Sequence, residues 1–211
     1  MKQPILCRNN QRKKESLGKL VIGVAGLTKG VGTTHTSLLF AKYCCRWLRK
    51  DTIYMECNQD EIKYIQEKHP FNRDWEERFT GEELVKEDSY FLYHGIRMFP
   101  NIHEKQMGSI LGEEYECAII DFGYLTPRCL KEYERCHIKI IVSSSAPWKI
   151  HLLKEIPIYD NSFLCIPFLS SKELRQFNKT LSIPVYSIPH VPNPFKLSAE
   201  ITVPLQKILN N

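Results

Sequence analysis

Near its start the chain runs without interruption from an apolar stretch, LVIGVA at 20–25, through a glycine loop, GLTKGVGTTH at 26–35, into TSLLFAKYCCRWLRK at 36–50. No other feature constrains the fold as tightly. A short continuous run rich in valine and isoleucine suits a strand buried on both faces, as in a parallel sheet. Glycines directly after it let the backbone turn back sharply. The segment from about 33 to 49 carries apolar side chains on most faces and ends in Arg46, Arg49 and Lys50, cations that favour a helix C-terminus. Strand, tight loop and helix make the first half of a βαβ unit.

The rest of the chain continues that alternation. TIYMEC at 52–57 reads as a second strand, with Asn58 and Gln59 just beyond it; DEIKYIQEKH at 60–69 reads as a helix, and 70–88 as a surface excursion. YFLYHGIRMFP at 90–100 reads as a strand pair or one irregular strand. YECAIIDFG at 115–123, HIKIIVSSS at 137–145 and SFLCIPFL at 162–169 are further buried strands, with a helix over 147–156 between the last two. IPVYSIPHVPNPF carries a short strand and a proline-rich loop before a terminal helix near 198–211. Strands alternating with helices predict an α/β fold: a doubly wound, mostly parallel sheet with helices on both faces. At 211 residues the economical reading is a basic tail over 1–17 followed by one domain over 18–211.

Composition narrows the function classes. Apolar residues at 43% and charged residues at 25% are ordinary for a globular chain. No apolar run approaches about 18 residues and none follows the basic start, so a cytoplasmic, bacterial protein is expected. The eight cysteines lie mostly inside apolar runs, with no C-x-x-C pair, and read as reduced core thiols; no dedicated metal cage is expected. The net charge of +5 is concentrated in Lys2, Arg8, Arg12, Lys13, Lys14 and Lys19. The body is close to neutral; the basic tail could meet acidic lipid or nucleic acid, but a solvated terminus is the plainer reading, and nucleic acid is not expected as a partner.

The glycine loop carries the chemistry. Backbone N–H groups and a helix N-terminus aimed at one point bind an anion, and glycines allow close approach. The usual motif is G-x-x-x-x-G-K-[ST], whose lysine reaches the outer phosphates and whose hydroxyl ligates magnesium. With Gly32 and Thr34 at the last glycine and the hydroxyl, Thr33 stands at the lysine and Leu27 at the first glycine. The metal hydroxyl is kept and the cation is lost.

VIGVAGLTKGVGTTHTSLLFAKY resembles the opening of the ParA/MinD class of deviant P-loop ATPases, whose loop is close to K-G-G-x-G-K-[ST]. TIYMECNQ is similar to that family's second strand, and YECAIIDFG to the strand bearing its magnesium-linked acid, here Asp121. KIIVSSSAPWKIHLLKE is similar to a later strand and helix, and VYSIPHVPNPF stands where the family has an adenine-side loop. These matches run in order over 18–209, and the TadZ/CpaE-like pilus-assembly branch, with its atypical loops, is the nearest likeness. The resemblance implies a P-loop NTPase-like fold and ATP with magnesium as the cofactor. It implies nucleotide contacts from Thr28, Lys29, Gly30, Val31, Gly32, Thr33, Thr34, His35 and Pro192, with magnesium held by Thr34 and Asp121. It also implies protein partners in a pilus, secretion or positioning system, a homodimer, and at most indirect membrane contact.

The departures shape the functional expectation. The family's second lysine, which reaches across a nucleotide-sandwiched dimer, falls at Thr28, with Lys29 one residue away. The acid that orients the attacking water falls near Glu56 or Asn58, and asparagine cannot act as a base. Each lost lysine removes a charge-assisted contact of about 1.5–3 kcal/mol, and phosphoryl transfer depends on such positioning. A noncatalytic or weakly catalytic localisation or assembly factor is therefore expected, ahead of an active magnesium-dependent ATPase. A third reading stays open: Gly26, Gly30 and Gly32 also fit the loop of short-chain dehydrogenases, with Tyr64 and Lys68 in a Tyr-x-x-x-Lys pair and Glu56 as a ribose acid. Bland alternatives remain as well, namely helix capping by Thr33 and Thr34 without any phosphate and turn capping by Asp121 without any metal.

Overall fold

The structure, a computed structural model, describes residues 18–57, 84–86, 89–189 and 191–210. Within them, nine strands form one sheet in the order β3-β4-β5-β2-β6-β1-β7-β8-β9. The strands are β1 Leu20–Gly26, β2 Thr52–Cys57, β3 Leu84–Lys86, β4 Phe91–Tyr93, β5 Ile96–Ile102, β6 Cys117–Tyr124, β7 Ile138–Val142, β8 Ser162–Pro167 and β9 Val185–Ile188. All neighbours pair in parallel except β3 with β4 and β4 with β5. The helices are α1 Thr33–Lys42, continued by a π-helical turn Tyr43–Trp47, then α2 Glu104–Gly112, α3 Pro127–Glu134, α4 Ser171–Thr180 and α5 Ala199–Leu209, with a 3₁₀ helix at Ile150–Glu155.

Alternation along the strands sorts the core into two layers. Ile22, Val24, Tyr54, Ile119, Ile140 and Cys165 pack with Leu38 and Leu39 of α1 and with Ile201, Leu205 and Ile208 of α5. Ala25, Ile53, Ala118, Ile120, Ile141 and Leu164 face the other way, onto Met107 and Ile110 of α2 and Cys129 and Tyr133 of α3. Near-continuous apolar strands follow from this, since a parallel sheet covered by helices is buried on both faces. The expected doubly wound α/β fold is the observed one.

Of the two readings of 90–100 the strand pair is the observed one, and other elements differ from expectation for local reasons. Residues 90–100 form the antiparallel pair β4–β5, turned by His94 (φ 51°) and Gly95 (φ 80°), because two left-handed residues match the twist of a tight hairpin. The helix expected over 147–156 is the short 3₁₀ segment. In the stretch read as a surface excursion, Leu84–Lys86 adds an edge strand. The helix expected over 60–69, with Asn58, Tyr64 and Lys68, lies outside the described residues, as does the tail 1–17. Helix α5 tolerates Pro204 and buries one face in the core, so the terminal segment docks on the sheet. Among the described residues no helix is long and apolar enough to cross a membrane.

Strand β1 lies between β6 and β7, while the chain leaving β1 through α1 enters β2 on the far side of β6. The glycine loop therefore sits at the carboxyl edge of the sheet, where the strand order reverses and open α/β sheets bind their ligands.

Candidate functional site

The loop between β1 and α1 is built by close packing beneath it and left-handed backbone within it. Gly26 ends β1, and a Cβ placed there would lie 2.5 Å from Thr33 Oγ1, 2.7 Å from Val31 Cγ2 and 2.9 Å from the Thr28 carbonyl oxygen. Only a residue without a side chain permits that contact. Gly26→Ala is expected to cost about 1–3 kcal/mol, the usual price of overpacking, and to shift the loop; urea unfolding measures the first and amide chemical shifts of 27–35 the second. Gly30 and Gly32 follow at φ 72° and 91°, values that a residue with a Cβ adopts only with strain.

Gly32 is the N-cap of α1 and no side chain caps the helix; its carbonyl accepts the first helical hydrogen bond, from the Thr36 N–H at 2.9 Å. The first-turn amides are thus left without a side-chain acceptor. Thr33 and Thr34 occupy the first two helical positions and do not cap it, which removes the capping alternative. The Thr33 side chain is 7% exposed and packs against Gly26, beneath the loop, so it does not reach out as a phosphate-binding lysine does. Thr28 is half-buried, whereas Lys29 is exposed, its Nζ 5.1 Å from the centre of the Tyr124 ring.

Behind the loop lies Asp121 on β6, 1% exposed. Its Oδ2 accepts from the Tyr54 hydroxyl at 3.0 Å and its Oδ1 from the Gly123 N–H at 2.9 Å. The Thr34 hydroxyl also hydrogen-bonds this carboxyl; burial pushes the group above the usual carboxylate range, against the opposing pull of those three bonds. The Gly123 contact depends on a bulge: Val24 pairs with Asp121 and Gly26 with Tyr124, leaving an extra residue on β6 with Gly123 at φ 67°. Glu56, half-buried at the end of β2, is the direct register partner of Asp121. Thr34 and Asp121 therefore meet at the carboxyl edge, with Glu56 beside Asp121 in register, and the Thr34–Asp121 pair has the hard oxygen donors that suit magnesium.

A cavity of ≈ 490 Å³ opens beside the loop, within the range of small-molecule sites. One wall is Gly30, Val31, Gly32 and His35; the other is the segment Ser143–Ala146 after β7, and the ends of β8 and β9 close it with Phe168 and Pro189. Ser143 is 1% exposed and its Oγ has no hydrogen-bond partner, a buried polar atom left open to a ligand. Phe168 is 70% exposed and held at φ 65°, strain of the kind that collects at ligand clamps. Ser143, Phe168 and Pro189 escaped sequence reasoning, although SSS and IPF after buried strands are the available signals. Pro192 is exposed and does not line the cavity; Pro189, three residues earlier, does. An uncapped helix start, an orphan hydroxyl and an apolar cavity fit a phosphate-bearing ligand with a flat apolar portion.

No family model and no curated protein sequence matches the chain. Solved structures do. A plasmid partition protein from Borrelia burgdorferi bound to AMPPNP superposes with TM-score 0.57 at 16% identity, covering 91% of this chain and 97% of that one. MinD from Pyrococcus horikoshii, complexed with Mg-ADP, gives TM-score 0.57 at 10% identity over 90% of this chain and 94% of that one. The Aquifex aeolicus MinC:MinD cell division complex gives 0.55 at 12% identity, with 91% and 96% covered. The chain carries the fold of the ParA/MinD-type P-loop ATPases over nearly its whole length.

Proposed function

We propose that this protein binds ATP with magnesium weakly at the β1–α1 loop, hydrolyses it slowly or not at all, and serves as a localisation or assembly factor acting through protein partners, in the manner of the TadZ/CpaE-like pilus-assembly branch. One observation carries the reading. The loop keeps its anion-binding frame, with Gly32 as a left-handed, side-chain-free cap, while the residue at the lysine position, Thr33, is turned under the loop against Gly26. Thr34 and Asp121 would hold magnesium, which when bound shields phosphate charge. The backbone amides and the cavity would hold the rest of the nucleotide. Three of the neighbours named above support this indirectly: two hold AMPPNP or Mg-ADP, and one assembles with MinC.

The test is calorimetry with millimolar Mg-ATP beside a phosphate-release assay. At a ligand concentration about five times Kd the stabilisation is ~1 kcal/mol, or about 2–4 °C in Tm for a domain of this size, and phosphate release should stay at the level of Asp121→Ala. A folded protein with no shift overturns the nucleotide reading. Release that depends on Asp121 selects the ATPase reading instead.

A further inference from the structure

The loop's missing cation has a candidate replacement that the motif does not contain. Lys149, half-buried in the turn after β7, donates its backbone N–H to the Ala146 carbonyl at 2.8 Å. Its Nζ donates to the Lys29 backbone carbonyl at 3.2 Å. It thus bridges the two walls of the cavity: Ala146 belongs to one, and residue 29 immediately precedes the glycines of the other. Among the described residues neither Lys149 nor Lys29 has a carboxylate within ion-pair distance; Lys149 holds only a carbonyl, and Lys29 only the face of Tyr124. Both ammonium groups thus stand at this loop without a carboxylate among the described residues to balance them. A carbonyl partner leaves the full positive charge uncompensated. The orphan Ser143 hydroxyl, six residues before Lys149 on the same segment, independently marks this edge of the cavity as open to a polar ligand.

We propose that Lys149, assisted by Lys29, supplies from the opposite wall the cation that binds the ligand's polyphosphate, in place of the loop lysine lost at Thr33. This rests on the nucleotide reading above and deepens it: the ligand class is a polyphosphate anion, and its charge is met by a clamp of two loops rather than by one loop. The Lys149–Lys29 bond is then the resting contact of an ammonium that exchanges a carbonyl for a phosphate oxygen, a stronger acceptor because it is charged.

The test is isothermal titration of the wild type, Lys149→Arg, Lys149→Gln and Lys149→Ala with Mg-ATP, with inorganic tripolyphosphate and with adenosine, at low and high salt. Glutamine can still donate to the Lys29 carbonyl but carries no charge, so it separates tether from cation. Lys149→Gln and Lys149→Ala are expected to weaken ATP and tripolyphosphate binding by about 10- to 100-fold, to flatten the salt dependence and to leave adenosine unchanged; Lys149→Arg should stay within about threefold of wild type. Wild-type affinity in folded Lys149→Gln overturns the cation role and leaves the nucleotide reading intact. A wild type that binds neither ATP nor tripolyphosphate overturns both.

Discussion

Asp121→Ala should lose about 2–4 kcal/mol of stability together with all magnesium dependence of nucleotide binding, whereas Asp121→Asn should keep the fold and lose only the magnesium. Alanine strips the acceptor from the Tyr54 hydroxyl, the Gly123 N–H and the Thr34 hydroxyl. A donor left unsatisfied in the interior costs about 1–3 kcal/mol, and the half-buried Thr34 can recover part through water. Asparagine retains one carbonyl oxygen for Gly123 and offers its NH2 to a hydroxyl, which can accept as well as donate. Charge adds a second effect with a definite sign. Burial raises the Asp121 carboxyl, so the folded state favours the protonated form relative to the unfolded chain. Its contribution to stability is fully present below the ordinary carboxylate range and declines as pH rises through the raised value. Urea titrations from acid to neutral pH should therefore show a falling limb in the wild type that Asp121→Asn flattens. A flat wild-type profile, or an asparagine variant as unstable as alanine, would refute this account of the site. A buried acid that costs stability at neutral pH is intelligible if the site needs a negative charge for a cation, the usual form of conflict between local stability and function.

Much of this was legible in the chain, and the parts that were not have physical causes. The buried strands announced themselves because a sheet covered on both faces requires continuous apolar runs, and β1, β2 and β6 fall close to where LVIGVA, TIYMEC and YECAIIDFG placed them. Helices α2, α3 and α4 carried weaker signals. Each is short and mostly polar and turns only a few apolar side chains to the sheet, Met107 and Ile110, Cys129 and Tyr133, or the partly buried Leu174 and Phe177, which leaves little to read in eight to ten residues. Their caps were nevertheless written in the sequence: Ser170 with Glu173 is a capping box, and Thr126–Pro127 sets a proline at the first turn. At the site, the loop motif points to Thr34, and the family resemblance and a place at a strand's end point to Asp121, both local features, and the structure brings the two side chains together. The cavity wall was not. Ser143 and Phe168 lie far apart in sequence and meet only when β7 and β8 pair in register. Lys149 was invisible for the same reason: its partner, the Lys29 carbonyl, is 120 residues away.

Restoring lysine at Thr33 should raise ATP affinity by about 10- to 100-fold, the worth of one charge-assisted contact to phosphate. The structure shows why the direction is not trivial. The threonine hydroxyl fills the space over Gly26, and Val31 crowds the same point, so a lysine stem cannot follow that path and must leave by another rotamer, toward the uncapped amides of α1. The packing lost beneath the loop should cost about 1 kcal/mol or less, since one small side chain is exchanged. Affinity can thus rise while stability without ligand falls slightly, a split that urea unfolding and titration calorimetry resolve on one preparation. Under the proposed reading Thr28 stands where a second lysine would be needed, so hydrolysis should stay low. The variant also interrogates Lys149. If the two cations serve the same phosphates, Thr33→Lys should shrink the penalty of Lys149→Gln, and the double-mutant cycle should depart from additivity by more than about 0.5 kcal/mol. Additive effects would mean that the two ammonium groups act on different ligands or different atoms. No gain from Thr33→Lys, in a variant that folds, would mean that this loop was not shaped around phosphate at all.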